Sequence, residues 1–203
     1  EIKLENVSVF NFENAIRGMR NPMNSWKYID SDYDETGNYV IGPKDLELMQ
    51  NLIHSGTPHD KFMRQILVSV DITAPLYWWK EMDTYKVATV ANSTSTMHKI
   101  HSKPIELSDF SFDLPLLPND EDAKKILEMH ERIRDDLEWL RNKYLETKEE
   151  VPVDNPYWRT LIQTLPDGYM QTLTWTANYA TLRGMYKWRK NHKQIEWRQF
   201  CEV

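Results

Sequence analysis

The chain has 203 residues, a formal net charge of −6 and a single cysteine, Cys201. That length can bury a core without disulfides or structural metal, and one cysteine excludes a disulfide framework and a cysteine-built zinc cluster. The acidic balance argues against wholesale polyanion binding but leaves room for a local anion pocket. No stretch reaches the apolar length of a membrane span, and the first residues lack the basic-then-apolar layout of a secretory signal. The expectation is one cytoplasmic domain over residues 1–203, with no membrane contact and no direct nucleic-acid binding.

Ile2, Leu4, Val7 and Val9 fall near two-residue spacing, with a shift around Glu5-Asn6, and predict a half-buried strand over 2–10. Residues 17–38, with Gly18, Asn21, Pro22, three aspartates and Gly37, read as a long polar loop carrying Arg17 and Arg20 as solvated side chains or anion contacts. Pro43 after Gly42 opens a helix to about Ser55. Leu46, Leu48, Met49, Leu52 and Ile53 form its apolar face, and Gly56 stops it. His59 follows in a turn. Phe62 to Ile72, with Ile66, Val68 and Val70 on one parity, predicts a strand.

Residues 72–98 combine Pro75, Tyr77, Trp78, Trp79 and Tyr85 with Lys80 and Lys86, then run into Asn92, Ser93, Thr94, Ser95 and Thr96. Flat rings stack on ring systems, and a lysine beside hydroxyls and an amide can hold a phosphate. The composition suits a nucleotide-like ligand, but aromatic residues usually pack, and by itself the stretch reads first as an aromatic core element followed by a polar turn. His98 and His101 have the spacing of two metal ligands without a third. A weakly periodic connection through Pro104, Pro115 and Pro118 leads to a long amphipathic helix over about 120–147, its first turn acidic. A short helix over 157–165, a turn at Pro166-Asp-Gly and a strand over 169–176 follow. The helix after Asn178 carries Leu182, Met185, Tyr186 and Arg189 on one stripe, so Arg189 points inward. Asn178 stands at an N-cap position. Arg183, Lys187, Arg189, Lys190, His192, Lys193 and Arg198 make this the most basic region of the chain.

Spacing between distant segments adds a resemblance. His59 lies sixteen residues before Pro75. Leu165-Pro166 is followed, twelve residues after Pro166, by Asn178 of Trp175-Thr-Ala-Asn, and eleven residues later by Arg189 and then His192-Lys-Gln-Ile-Glu-Trp-Arg198. The pattern resembles the flavin-dependent thymidylate synthase family over most of the chain. Asn92-Ser-Thr-Ser95 is similar to the end of the family signature, which runs Arg-His-Arg, seven residues, Ser. Counting back from Ser95 puts Tyr85-Lys86-Val87 at the Arg-His-Arg position, and counting forward from Pro75 puts Thr84-Tyr85-Lys86 there. Both arginines are absent in either register, and Lys86 is the cation that remains. Arg64 stands where the family has glutamate, and Ile162 where it has arginine.

The resemblance implies an α+β fold, a mixed sheet with flanking helices, that forms homotetramers. It implies methylation of dUMP to dTMP, with FAD passing hydride, methylenetetrahydrofolate as carbon donor and NADPH as reductant. No enzyme cysteine is required. Residue by residue, it places Ser95 and Arg189 as catalytic, and Tyr85, Lys86, Asn92, Ser93, Ser95 and Arg189 around the nucleotide. His59, Asn178 and His192 would hold flavin. Loss of the forked phosphate contacts that arginine makes keeps a second reading open: a homologue altered or inactive in catalysis that binds a nucleotide, flavin or protein partner.

Overall fold

The computed structural model describes residues 2–112, 117 and 119–203. Pro115 and Pro118 of the expected connection lie outside the described residues. The strands are β1 (Lys3–Phe10), β2 (Asp32–Tyr33), β3 (Tyr39–Val40), β4 (Leu67–Pro75), β5 (Thr89–Ser93) and β6 (Met170–Asn178). The helices are α1 (Phe12–Arg20), α2 (Pro43–Ser55), α3 (Leu76–Met82), α4 (Thr96–Lys99), α5 (Asp120–Thr147), α6 (Pro156–Thr164), α7 (Tyr179–Arg189) and α8 (Ile195–Glu202). Four strands form an antiparallel sheet in the order β1-β4-β6-β5, where the expectation was a mixed one. A separate two-stranded sheet pairs Asp32 with Val40 and Tyr33 with Tyr39.

The register of β4 on β6 can be read from hydroxyls. Ser69 meets Thr176 at 2.8 Å, Thr174 donates to Asp71 at 2.6 Å and Thr73 meets Thr172 at 2.7 Å. Residues of the other parity, Val68, Val70 and Ile72 on β4 and Leu173, Trp175 and Ala177 on β6, are buried. Two-residue alternation therefore sends polar and apolar side chains to opposite faces. In β1 the predicted shift is a backbone event. Asn6 has φ 52°, a left-handed conformation that asparagine tolerates, and its amide donates to Asp71 at 2.8 Å. Past this residue the parity resets, and Leu4, Val7 and Val9 line one apolar cavity together with Val68, Val70 and Trp175.

The segment expected as a long loop begins as a helix. Phe12, Ala15, Ile16 and Met19 sit at i, i+3, i+4 and i+7, the spacing of one helix face, and the last three are buried. Arg20, expected to be solvated, is 4% exposed and Asp45 is 0%. Arg20 Nε and Nη2 each lie 2.6 Å from Asp45 Oδ1. Asp45 Oδ2 accepts from Asp30 N and Ser31 N at 3.0 Å and from Ser31 Oγ at 2.7 Å. Asp30 returns the contact, accepting from Lys44 N at 2.9 Å and Asp45 N at 3.0 Å. The polar run is thus pinned to the first turn of α2. Gly42 completes the lock, because a Cβ there would lie 2.3 Å from the Asp30 carbonyl oxygen.

Chain contacts divide the molecule into two compact units. The first comprises residues up to Lys3, Thr73–Thr84 and Ser93–Leu173. The second comprises Leu4–Ile72, Tyr85–Asn92 and Thr174–Val203. In the first, Leu137 and Leu140 of α5 pack with Leu161 of α6, Ile100, Ile105 and Phe110. Asn119 caps α5 by accepting from Asp122 N at 2.8 Å. Trp78, Trp79 and Met82 of α3 are buried, and the Trp79 indole donates to Gln171 O at 3.1 Å. Packing is therefore the role of this part of the 72–98 stretch.

In the second unit, Ile16, Met19, Met49, Phe62, Met63 and Ile66 form a core against which Tyr179 and Ala180 of α7 rest. Asn178 is buried and caps α7, its side-chain oxygen accepting from Thr181 N at 2.9 Å. Replacing Asn178 with alanine removes that acceptor from a donor the helix cannot satisfy itself. It should cost about 1 kcal/mol of stability, read as a fall in Tm of roughly 2–4 °C for a chain of this size. An unchanged melting curve would contradict the capping role.

Candidate functional site

At the end of α7 in the second unit, Arg189, His192 and Arg198 come together. Arg189 Nε donates to the Tyr85 hydroxyl at 2.8 Å. Its guanidinium carbon lies 4.4 Å from the centroid of the Trp197 ring and 5.4 Å from that of Tyr85. Nη1 lies 3.1 Å from His192 Nε2. Trp197 is fully buried, and Tyr85 and His192 meet it edge-on at centroid distances of 6.0 and 6.2 Å. The turn between α7 and α8 is folded back by Arg198, whose Nη1 donates to His192 O at 2.6 Å and Lys193 O at 3.0 Å. The expected inward direction of Arg189 is what the structure has. A guanidinium lying over an indole face is both attracted to it and held in one plane. The arrangement presents a fixed, half-buried cation.

His192 has donors at both ring nitrogens, Gln194 N at 3.2 Å from Nδ1 and Arg189 at Nε2. A neutral imidazole has one acceptor nitrogen, so the two donors compete for it. Arg183 is held by Asp60. That hydrogen bond, working against burial, keeps the Asp60 carboxyl below its ordinary value. Of the three arginines in this basic region, Arg183 is paired with a carboxylate and Arg198 with carbonyls. Arg189 stands in an aromatic cradle.

His59 opens a short 3-10 helix, His59–Arg64. Its ring is exposed and makes no hydrogen bond among the described residues. It lines a cavity of about 710 Å³ with Met19, Asn21, Leu52, Lys61 and Gln65. An apolar floor with a few polar groups at the rim, in a volume within the usual range for small-molecule sites, suits a flat ligand carrying polar substituents. Of the three residues expected around flavin, His59 lies in this cavity, Asn178 is the α7 cap and His192 is joined to Arg189.

The nucleotide residues divide between the units. Tyr85, Lys86 and Asn92 belong to the second, and Ser93 and Ser95 to the first. Lys86 is exposed, in a turn that passes through Ala88 at φ 56°. Asn92 and Ser93 are exposed at the end of β5. Ser95 caps the short helix α4, accepting from His98 N at 3.2 Å. Gln171 braces this turn by donating to Thr94 O at 2.8 Å and Thr96 Oγ1 at 3.1 Å. The second unit therefore gathers Tyr85, Arg189 and His192 and adds Trp197 as a support, and within the first unit Gln171 separately supports the Ser95 turn. Trp197 had a signal in the matched C-terminal motif, and Gln171 had none.

His98 and His101 line a different cavity in the first unit, with Tyr144, Asn155 and Trp158. Burial, and then Lys148, Lys99 and Arg141, push the His101 imidazole towards its neutral form. Among the described residues no three His, Cys, Asp or Glu groups gather as a metal site, and no helix is long and apolar enough to cross a membrane.

No protein-family model and no curated protein matches the sequence. Solved structures do. The chain is similar to thymidylate synthase X of Helicobacter pylori solved with FAD and dUMP, with a TM-score of 0.66 at 14% identity, covering 100% of this chain and 90% of that one. A second structure of the H. pylori flavin-dependent enzyme, also complexed with FAD and dUMP, gives a TM-score of 0.63 at 14% identity and the same coverage. At that identity the likeness establishes the fold.

Proposed function

We propose that the protein is a divergent flavin-dependent thymidylate synthase-like protein that binds a pyrimidine nucleotide through Arg189 and FAD through His59, Asn178 and His192. The observation that carries this reading is the cradle of Tyr85, Trp197 and His192 around Arg189. It keeps a cation at the position the family pattern demands, although the signature arginines are gone. The fold, shared with enzymes solved holding FAD and dUMP, supports it.

In this reading Arg189 neutralises and orients the nucleotide's phosphate or uracil. Lys86 adds a second, mobile cation, and Ser95 with Ser93, Asn92 and Tyr85 supplies hydrogen bonds. Arg189 and Ser95 are the groups assigned to the chemical step. The cavity beside His59 fits a ring system, and the Asn178 amide retains its NH₂ donors while its oxygen caps α7. FAD would supply hydride transfer, with NADPH as reductant and methylenetetrahydrofolate as carbon donor. What the chain contributes is placement and charge. The homotetramer and a cytoplasmic location belong to the same proposal. An alternative, a binding protein on this scaffold without methyl transfer, is favoured by one observation: Lys86, the sole cation left at the signature, is solvent-exposed rather than built into a forked phosphate site.

The purified protein is expected to be yellow, or to become so on titration with FAD, and to bind dUMP. A colourless protein that takes up no flavin would overturn the enzymatic reading. Flavin and dUMP uptake without growth of a thymidine-requiring host carrying the gene would favour the binding protein.

A further inference from the structure

The cavity beside His59 has Met19 and Phe62, both buried, in its wall, and its polar groups include Asn21, His59, Lys61 and Gln65. Their hydrogen-bonding capacities differ. The Asn21 oxygen already accepts from the Trp26 indole at 2.8 Å, which leaves that amide its donors. A neutral imidazole carries its donor and its acceptor on separate sides of the ring, and an ammonium only donates. The Gln65 amide offers a donor and an acceptor side by side. It is exposed, and among the described residues neither function is engaged.

The backbone of Gln65 is fixed on both sides. Its N–H donates to Phe62 O at 2.9 Å, and its carbonyl accepts from the Asn11 side chain at 2.8 Å. From that anchor the side chain reaches α1 at Gly18. The three heavy atoms nearest to a Cβ built on Gly18 all belong to the Gln65 amide: Oε1 at 2.8 Å, Nε2 at 3.6 Å and Cδ at 3.7 Å. Gly18 lies inside α1, where glycine is a poorer helix former than alanine. Its backbone is not left-handed, so conformation does not demand glycine there. Space for the amide does.

The chemistry complementary to such an amide is an imide edge, with carbonyl, N–H and carbonyl in a row. The amide NH₂ donates to one carbonyl while the amide oxygen accepts from the N–H. We infer that Gln65 is the residue that selects flavin in this cavity, by pairing its amide with the imide edge of the isoalloxazine ring, and that Gly18 keeps the place open for that amide. The inference rests on the proposed binding of flavin beside His59. Uracil carries the same edge on a smaller ring, so the test separates the two.

The test is quenching of riboflavin and 3-methylriboflavin fluorescence by the full chain, stripped of any flavin it carries. In the second ligand a methyl group replaces the imide hydrogen, which removes the donor and crowds the Gln65 oxygen. Wild type should bind riboflavin about tenfold more tightly than its methylated form. In Gln65→Ala the two affinities should agree within about twofold. Gly18→Ala should lose the preference in the same way with its Tm held or raised, because the new methyl displaces a flexible amide and alanine favours the helix. Combining the two variants should bring no further loss. Equal affinity for the two ligands in wild type, or a preference kept by either variant, would overturn this inference and leave the flavin reading standing. No uptake of either ligand would overturn both. Displacement of riboflavin by dUMP from wild type but not from Gln65→Ala would overturn it too, by giving the amide to the uracil edge.

Discussion

Asp45→Ala is expected to be the most destabilising single change outside the apolar core, at about 3–5 kcal/mol, the usual cost of leaving one member of a buried ion pair behind. The variant strands the Arg20 guanidinium in a site with almost no solvent access. It also removes the acceptor from Asp30 N, Ser31 N and Ser31 Oγ. At roughly 2–4 °C per kcal/mol, Tm should fall by about 10 °C. A melting curve within a degree or two of wild type would show that the Arg20–Asp45 pair does not hold residues 20–31 to α2.

The pH dependence has a defined sign. Burial pushes the Asp45 carboxyl towards its neutral form, but the Ser31 hydroxyl, Arg20 and the backbone N–H groups of Asp30 and Ser31 outweigh it and hold the group below its ordinary value. A lowered folded-state value means that the stabilisation is fully present above the unfolded value, about 3.9, and is lost as pH falls through the folded one. The gap in stability between wild type and Asp45→Ala should therefore be constant from neutral pH down to about 5 and narrow below about 4. Asp60 and Asp71 are lowered too, by Arg183 and by Thr174 with Asn6, so the variant keeps part of the acid sensitivity. A gap that widens on acidification would contradict the assignment.

Arg189→Ala should weaken dUMP binding by at least about 30-fold, since truncating one partner of a buried charged hydrogen bond costs about 2–5 kcal/mol. Arg189→Lys should not restore it, because an ammonium lacks the planar fork and cannot lie over Trp197 and reach Tyr85 in the same way. The loss of the indole contact costs stability as well, about 0.5–2 kcal/mol, so melting and titration are measured together. Folded Arg189→Ala protein that binds dUMP as well as wild type would remove Arg189 from the nucleotide site. Equal affinity in the lysine variant would remove the forked contact from the argument.

Local, periodic features were legible in the sequence. The strand alternation in β4 and β6, the Gly42-Pro43 start of α2, the acidic start of α5 and the Asn178 cap all rest on neighbours in the chain. Features that depend on a distant partner were not. Arg20 read as a solvated or anion-binding side chain because nothing local says that an acid twenty-five residues away will meet the base, and α1 was lost to Gly18 inside it and Asn21-Pro22 just after it, despite its stripe at 12, 15, 16 and 19. In the site, Arg189's inward direction followed from its stripe. Its companions did not, since Tyr85 and Trp197 are remote in sequence and meet it only through folding. Composition alone left Trp78 and Trp79 open to either ligand stacking or core packing, and the fold packs them, while Trp188 and Trp139 are among the rings it leaves exposed.

The left-handed residue in β1 has a consequence for sequence change. Because Asn6 consumes one position without advancing the alternation, the strand before it and the strand after it are out of step in number yet aligned in space. A deletion at this point would leave Leu4 and both valines facing the same cavity, whereas a deletion two residues later would turn part of the strand over. Length variation in this strand is thus tolerated at one place, and Asn6 marks it.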